Sequence, residues 1–235
     1  MPTLAIDTST LVSSVAVATE FDVLAEINVK VKKTHSERLM AHIKEVIEKS
    51  EIPKEKISKI AVSGGPGSFT GLRIGLATAK ALAYALNIPI IKVPTLKAMA
   101  FSCPIEGSYL VPMLDAQKGN VYQAIYKWDG FSLREISPET VVDFKEAYEK
   151  LKKLDMPYII LGEAAHMYAA EIEKPLLGHI TMPRAASVAI LGARMFKEGI
   201  VDDVFTLEPF YIRRSEAEVL FEKRALKGND CFESS

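Results

Sequence analysis

Hydrophobic positions along the chain switch between two periods, and the switches divide it into elements. Leu4-Ala5-Ile6 is a short apolar run that ends in a polar turn, Asp7-Thr8-Ser9-Thr10. Two β-prone runs follow, Val12 to Thr19 and Val23 to Val31, and three short strands with tight connections predict an antiparallel meander. The period then becomes helical. Thr34 or Ser36 caps a helix running to about Ser50, with Leu39, Ile43, Val46 and Ile47 on one face. Pro53 closes that element, and Ile60-Ala61-Val62 predicts a buried strand. Leu72 to Leu86 has helical composition and ends at Asn87 and Pro89, because proline cannot continue a helix and disfavours helical geometry before it. Ile90 to Val93 is a further strand, and Leu96 to Phe101 a short helix.

Pro104-Ile105-Glu106-Gly107 interrupts the pattern and predicts a lobe boundary, with an N-terminal lobe at residues 1–104 and a C-terminal lobe at 105–207. Beyond it come a strand from Tyr109 to Leu114, a turn from Asp115 to Asn120 and a strand from Val121 to Trp128. A helix from Phe144 to Leu154, capped by Asp143, carries Phe144, Ala147, Tyr148 and Leu151 on one face. Ile159 to Leu161 is a strand and Ser187 to Lys197 a helix. Glu208 to Arg214 is extended, and the capping box Ser215-Glu216-Ala217-Glu218 starts a last helix near 215–224 that completes the first lobe. The tail after Gly228 is polar and predicted to fray. Leu4-Ala5-Ile6-Asp7 with Val15-Ala16-Val17 is echoed by Val111-Pro112-Met113-Leu114-Asp115 with Val121-Tyr122-Gln123-Ala124. A duplicated two-lobe α/β fold produces that echo, and so do two unrelated hairpins.

The stretch GPGSFTGLRIG, Gly65 to Gly75, has the look of a phosphate cradle. A P-loop requires GxxxxGK[ST], yet Leu72 follows Gly71 and the next lysine is Lys80. A dinucleotide fold wants an acidic residue closing the following strand, and Ile90-Ile91-Lys92-Val93 has none. A strand-to-helix turn explains Gly65 and Gly67 without a ligand, with Ser68 or Thr70 as the helix cap. Gly71, Gly75, Ala79 and Ala83 recur every four residues and form a narrow stripe nearly free of side chains. Glycine inside a helix costs about 1 kcal/mol relative to alanine, so close approach of another backbone must offset it. That neighbour belongs to this chain or to another; the pattern leaves both open.

Composition narrows the function. The 235 residues carry 29 Lys plus Arg against 30 Asp plus Glu, a net charge of -1, so a polyanion is not gripped by this chain alone. Apolar residues at 49% and charged residues at 25% describe a soluble globular protein. Cys103 and Cys231 form no CxxC site and no disulfide framework. There is no apolar run of transmembrane length and no signal-peptide core, which predicts a cytoplasmic protein. The histidines are His35, His42, His166 and His179, with no HExxH or HxxxH. His35 and His42 stand about 10.5 Å apart along a helix, too far for two ligands that must each approach within about 2.1 Å of one zinc. They read as solvated helix-face residues. Ser9, Ser13 and Ser14 lie in no GxSxG elbow. Asp7 is a cation or phosphate residue, or a turn-former through its own side chain.

Five segments, LAIDTST from Leu4, HSERL from His35, GPGSFTGLRIG from Gly65, LDA…VY from Leu114 to Tyr122 and PFYIRRSEAE from Pro209, together resemble the TsaB (YeaZ) family. The resemblance implies a two-lobed α/β fold of the actin/Hsp70/sugar-kinase (ASKHA) type, with duplicated mixed sheets and flanking helices. It implies a non-catalytic subunit of the complex that makes N6-threonylcarbamoyladenosine in tRNA. In that family a paralogous TsaD subunit, with an HxxxH metal motif and bound nucleotide, performs the transfer, and the ATPase TsaE joins the pair.

Docking onto a TsaD-like subunit is implied for the helices that start at His35 and Leu72. His35, Leu39, Ile43, Gly71, Leu72, Gly75, Leu76, Ala79 and Ala83 are then the expected partner-facing residues. The same patch is expected to pair two copies of the chain when TsaD is absent. Catalytic relatives have glycine beside the strand-ending aspartates. Here Thr8 and Ser9 follow Asp7, and Ala116 and Gln117 follow Asp115, so a degenerate nucleotide cleft at Asp7, Thr8, Ser9 and Asp115 is expected, with no metal, no cofactor and no independent catalysis. The alternatives are an ATPase or kinase of the same fold using Asp7, and a metallopeptidase, against which the missing zinc spacing counts.

Overall fold

The computed structural model describes residues 1–30, 38–130, 132–172 and 182–212. Strands β1 (Thr3–Asp7), β2 (Val12–Ala18) and β3 (Val23–Lys30) form the expected meander, and β4 (Lys59–Ser63) and β5 (Ile90–Val93) join it in the order β3-β2-β1-β4-β5. β1 pairs antiparallel with β2 and parallel with β4. A second sheet contains β6 (Tyr109–Asp115), β7 (Asn120–Asp129), β8 (Ser132–Asp143) and β9 (Tyr158–Leu161), in the order β8-β7-β6-β9. Its pairings have the same senses: β6 is antiparallel to β7 and parallel to β9. The two aspartates occupy equivalent ends, Asp7 opposite Ser14 and Asp115 opposite Val121. The echo is therefore a duplication and not a pair of unrelated hairpins.

Alternation within the strands gives the first sheet two unlike sides. Leu4, Ile6, Val15, Val17, Ile60 and Val62 form the large-residue side, covered by α1 (Leu39–Lys49) and α2 (Phe69–Leu86). Ala5, Ala16, Ala18 and Ala61 form the other, against which α6 (Ala185–Lys197) lies with Val188, Ala189 and Leu191. The flat alanine side lets a helix approach closely; a Cβ on Gly192 would stand 2.6 Å from the Ala61 Cβ. Ser14 Oγ accepts the Ala185 N–H at 2.7 Å and Glu26 Oε1 accepts that of Ala186 at 3.0 Å, so the sheet itself caps the helix. The segment from Ser187 to Lys197, assigned by sequence to residues 105–207 of the second lobe, thus packs on the first sheet. The reason is this alanine surface, which only the folded sheet assembles.

Helix α3 (Thr95–Phe101) packs its Leu96, Met99 and Ala100 on the second sheet, among Leu110, Leu114, Tyr126 and Trp128. On that sheet's other side lie α4 (Phe144–Leu151) and α5 (Glu163–Met167). Asp143 caps α4 as expected, accepting from the Lys145 and Glu146 amides at 2.9 and 3.2 Å, but the helix stops three residues before the expected Leu154. β8 and α5 are additions to the predicted elements. Thr34, Ser36 and the helix expected near 215–224 lie outside the described residues. Among the described residues, no helix is long and apolar enough to cross a membrane.

Candidate functional site

The glycine loop connects β4 to α2. Ser68 caps the helix, accepting the Gly71 N–H at 3.2 Å, and Asn87 ends it in the left-handed conformation, φ 52°. The stripe of small residues faces inward, onto the turn between β1 and β2. A Cβ on Gly71 would land on the carbonyl oxygen of Thr8, and one on Gly75 would land on Thr8 Oγ1. Thr8 uses that room, its Oγ1 donating to the Gly71 carbonyl at 2.7 Å. The Ser68 amide donates to Ser9 O at 2.7 Å. The ladder is a socket, and the segment seated in it is the chain's own Asp7-Thr8-Ser9 turn.

Asp7 is fully buried at the foot of this socket. Its Oδ1 accepts from the Ser9 amide at 2.9 Å and the Ser9 hydroxyl at 2.7 Å, and its Oδ2 accepts from the Ser63 hydroxyl. These are the bonds of a turn-forming aspartate that also ties β1 to β4. Thr95 joins the assembly from α3: its Oγ1 accepts the Gly65 N–H at 3.2 Å, and its own amide donates to Gly65 O at 2.9 Å.

The corresponding turn of the second lobe is more open and more acidic. Asp115 is half-buried and accepts the Gln117 N–H at 2.8 Å. Gln117 and Lys118 both adopt positive φ, 64° and 56°, so side chains occupy a turn that would need bare backbone to cradle a phosphate. Glu163, first in α5, lies beside Asp115 and accepts its N–H at 3.4 Å. Burial pushes the Glu163 carboxyl above its usual range; the Asp115 amide opposes this, and the Asp115 carboxylate adds to it. An anion brought to this turn meets two carboxyl groups. Asp7, Thr8 and Ser9 are therefore together at one position, and Asp115 holds the equivalent place in the other sheet. Glu163 escaped the sequence reading because an isolated glutamate opening a five-residue helix carries no motif.

The expected partner-facing set is corrected by burial. Leu39, Ile43, Leu72, Leu76, Ala79 and Ala83 are each no more than 2% exposed, and Gly71 and Gly75 are buried with them. They serve the interior because α1 and α2 both press on the large-residue side of the first sheet, and the β1–β2 turn claims the glycines. His35 lies outside the described residues. His42 is buried and not solvated, its Nδ1 lying 3.1 Å from Ser13 Oγ, which fastens α1 to β2. The outward positions of these helices are Met40, Ala41, Lys44, Glu45 and Glu48 on α1, and Arg73, Ala77, Ala81, Tyr84 and Ala85 on α2. Among the described residues, no three His, Cys, Asp or Glu side chains are grouped to hold a metal ion.

Two repeats of one mixed sheet, meeting through α3 and α6 and each turning on a strand-ending aspartate, define a protein of the two-lobed actin/Hsp70/sugar-kinase architecture. The same fold is seen in YeaZ from Pseudomonas aeruginosa, which is 23% identical and superimposes with a TM-score of 0.74 over 89% of this chain and 99% of that one. Residues 23–221 match the family model for TsaD, tRNA N6-adenosine threonylcarbamoyltransferase. The tRNA threonylcarbamoyladenosine biosynthesis protein TsaB of Bacillus subtilis is 35% identical over 93% of this chain and 96% of its own length. That of Escherichia coli is 28% identical over 92% of this chain and 96% of its own. The chain belongs to the TsaB family, within the wider TsaD family.

Proposed function

We propose that this chain works in tRNA N6-threonylcarbamoyladenosine biosynthesis as the docking subunit for a TsaD-like catalytic subunit, with a TsaE-like ATPase joining the pair. The observation that carries the non-catalytic part is the plugged socket. The place where a nucleotide phosphate would approach the first aspartate is filled by Thr8 and Ser9, and Asp7 is engaged by Ser9 and Ser63. The docking surface is the outward face of α1 and α2. Ala77, Ala81 and Ala85 of α2 form a second small-residue ladder, open to approach by a helix, with Arg73 and Tyr84 exposed on the same helix and Met40 exposed on α1. An interface of this kind buries roughly 1,200–2,000 Å² in total. The same face pairs two copies of the chain about a two-fold axis when the catalytic subunit is absent. With a net charge of -1, the chain contributes to tRNA binding through the assembled complex and not alone.

Titration calorimetry with the TsaD-like subunit of the same cell tests the docking surface. Ala81→Arg is expected to abolish complex formation while the isolated chain stays folded; unchanged affinity would put the interface elsewhere. ATP hydrolysis by the isolated chain would overturn the non-catalytic assignment and favour an ATPase that uses Asp7.

A further inference from the structure

After α6 the chain returns across the first lobe, and residues 202–212 lie along the free edge of β5 and the flank of α2. At one end the Asp202 amide donates to Ile90 O at 3.0 Å, and its carboxylate accepts the Lys92 N–H at 2.6 Å. At the other end the Phe210 amide donates to Gly64 O at 2.7 Å. Between them the hold is cationic. Lys80 Nζ donates to the carbonyls of Phe205 and Leu207 at 3.1 and 3.0 Å, and Lys92 Nζ donates to that of Glu208 at 3.1 Å. Arg73 lies 3.9 Å from the Phe69 ring centroid and donates from Nε to the Tyr211 hydroxyl at 3.0 Å, while the Phe69 and Tyr211 rings stand 4.7 Å apart.

Gly65 of the loop is shaped to this segment and not to the β1–β2 turn, with a φ of 115° and a hypothetical Cβ 2.5 Å from Phe210 O. Gly64 leaves room instead for the stem of Lys92, whose Nζ reaches the segment at Glu208 O. Apolar anchoring is confined to two side chains. Leu207 is buried in the core beside α2 and Val204 packs partly buried against the same cluster, whereas Phe205 and Phe210 are 73% and 49% exposed.

We propose that residues 202–212 form a latch that opens and closes on the first lobe as its own cooperative unit, pinned shut by Lys80, Lys92 and Arg73. Segments held by few buried apolar contacts and by solvent-accessible hydrogen bonds open below the global unfolding limit. Opening uncovers the edge of β5, a row of backbone groups competent to pair, together with the Gly64–Gly65 turn next to Ser63 and Asp7. The latch touches α2 at Phe69, Arg73, Lys80 and Tyr84, so its state is transmitted directly to that helix's exposed flank.

Native-state hydrogen exchange on the full chain decides the matter. The amides of Asp202, Leu207 and Phe210 are expected to exchange together, at least ten-fold faster than those of β1 and β4. In Lys80→Gln/Lys92→Gln they are expected to speed up at least ten-fold more while β1 and α6 stay protected, and Lys80→Arg/Lys92→Arg should restore most of the protection. Exchange of these amides only with the whole lobe, in the unaltered chain, would overturn the latch. So would an unchanged rate in the glutamine variant, or a variant whose lobe unfolds as one piece with the latch.

Discussion

Gly75→Ala places a methyl group where Thr8 Oγ1 now sits. To admit it, Thr8 must turn away and give up its 2.7 Å bond to the Gly71 carbonyl, which is worth about 0.5–1.5 kcal/mol. Overpacking of a closed site adds roughly 1–3 kcal/mol, and the better helix propensity of alanine returns about 1. The net expectation is a loss of about 1–3 kcal/mol. Removing the hydroxyl first reverses the sign. In a Thr8→Ala background the nearest remaining atoms are the residue-8 Cβ at 3.5 Å and Ile6 Cγ2 at 3.8 Å, ordinary contacts. Gly75→Ala then stabilises by up to about 1 kcal/mol, and the two substitutions couple by roughly 2–4 kcal/mol. Urea unfolding followed by far-ultraviolet circular dichroism measures all four corners of the cycle. The single tryptophan, Trp128, belongs to the second lobe, so its fluorescence alone would be a poor reporter. Additivity within about 0.5 kcal/mol would refute the socket, because it would mean that Thr8 and residue 75 do not meet.

Other consequences follow from the buried carboxyl groups. Glu139 sits where β8 carries an extra residue against β7, with Oε1 buried and without a hydrogen-bond partner among the described residues. Burial, assisted by Glu135, pushes its carboxyl from an ordinary 4.5 up to about 7. The folded state therefore holds this proton more tightly than the unfolded chain does. The resulting stability is fully present below about pH 4.5 and is lost as pH rises through about 7. At roughly 1.4 kcal/mol per pH unit, the change is about 3–4 kcal/mol and should be absent from Glu139→Gln; identical pH profiles for the two proteins would exclude it. Asp7→Ala strands the Ser9 and Ser63 donors and should cost about 1–3 kcal/mol in thermal or urea unfolding, whereas Asp7→Asn should cost less. Neither should weaken complex assembly if the aspartate is purely structural; loss of complex activity with normal assembly would show that it takes part in the chemistry.

Elements whose determinants are local were legible from sequence. Ser68 and Asn87 bracket α2 through their own side chain and backbone, Asp143 starts α4, and each strand-ending aspartate announces its turn. The echo between the halves was visible for the same reason, but the local signals fit two unrelated hairpins equally well, and only the matching strand pairings of the two sheets made it a duplication. The direction in which α2 faces was not. Gly71, Gly75, Ala79 and Ala83 form one small-residue ladder, and Ala77, Ala81 and Ala85, two positions along, form another on the opposite side. A helix small on both sides has no hydrophobic contrast to orient it; arrival of the β1–β2 turn decided that the glycines go inward. The home of α6 was likewise settled by the alanine side of a sheet assembled from distant segments. β8 left little trace in the pattern, because an edge strand with much of its length exposed is not held to strict alternation by a core. Local chemistry set where elements begin and end, and only the packed lobes determined which of their sides are buried and which remain exposed.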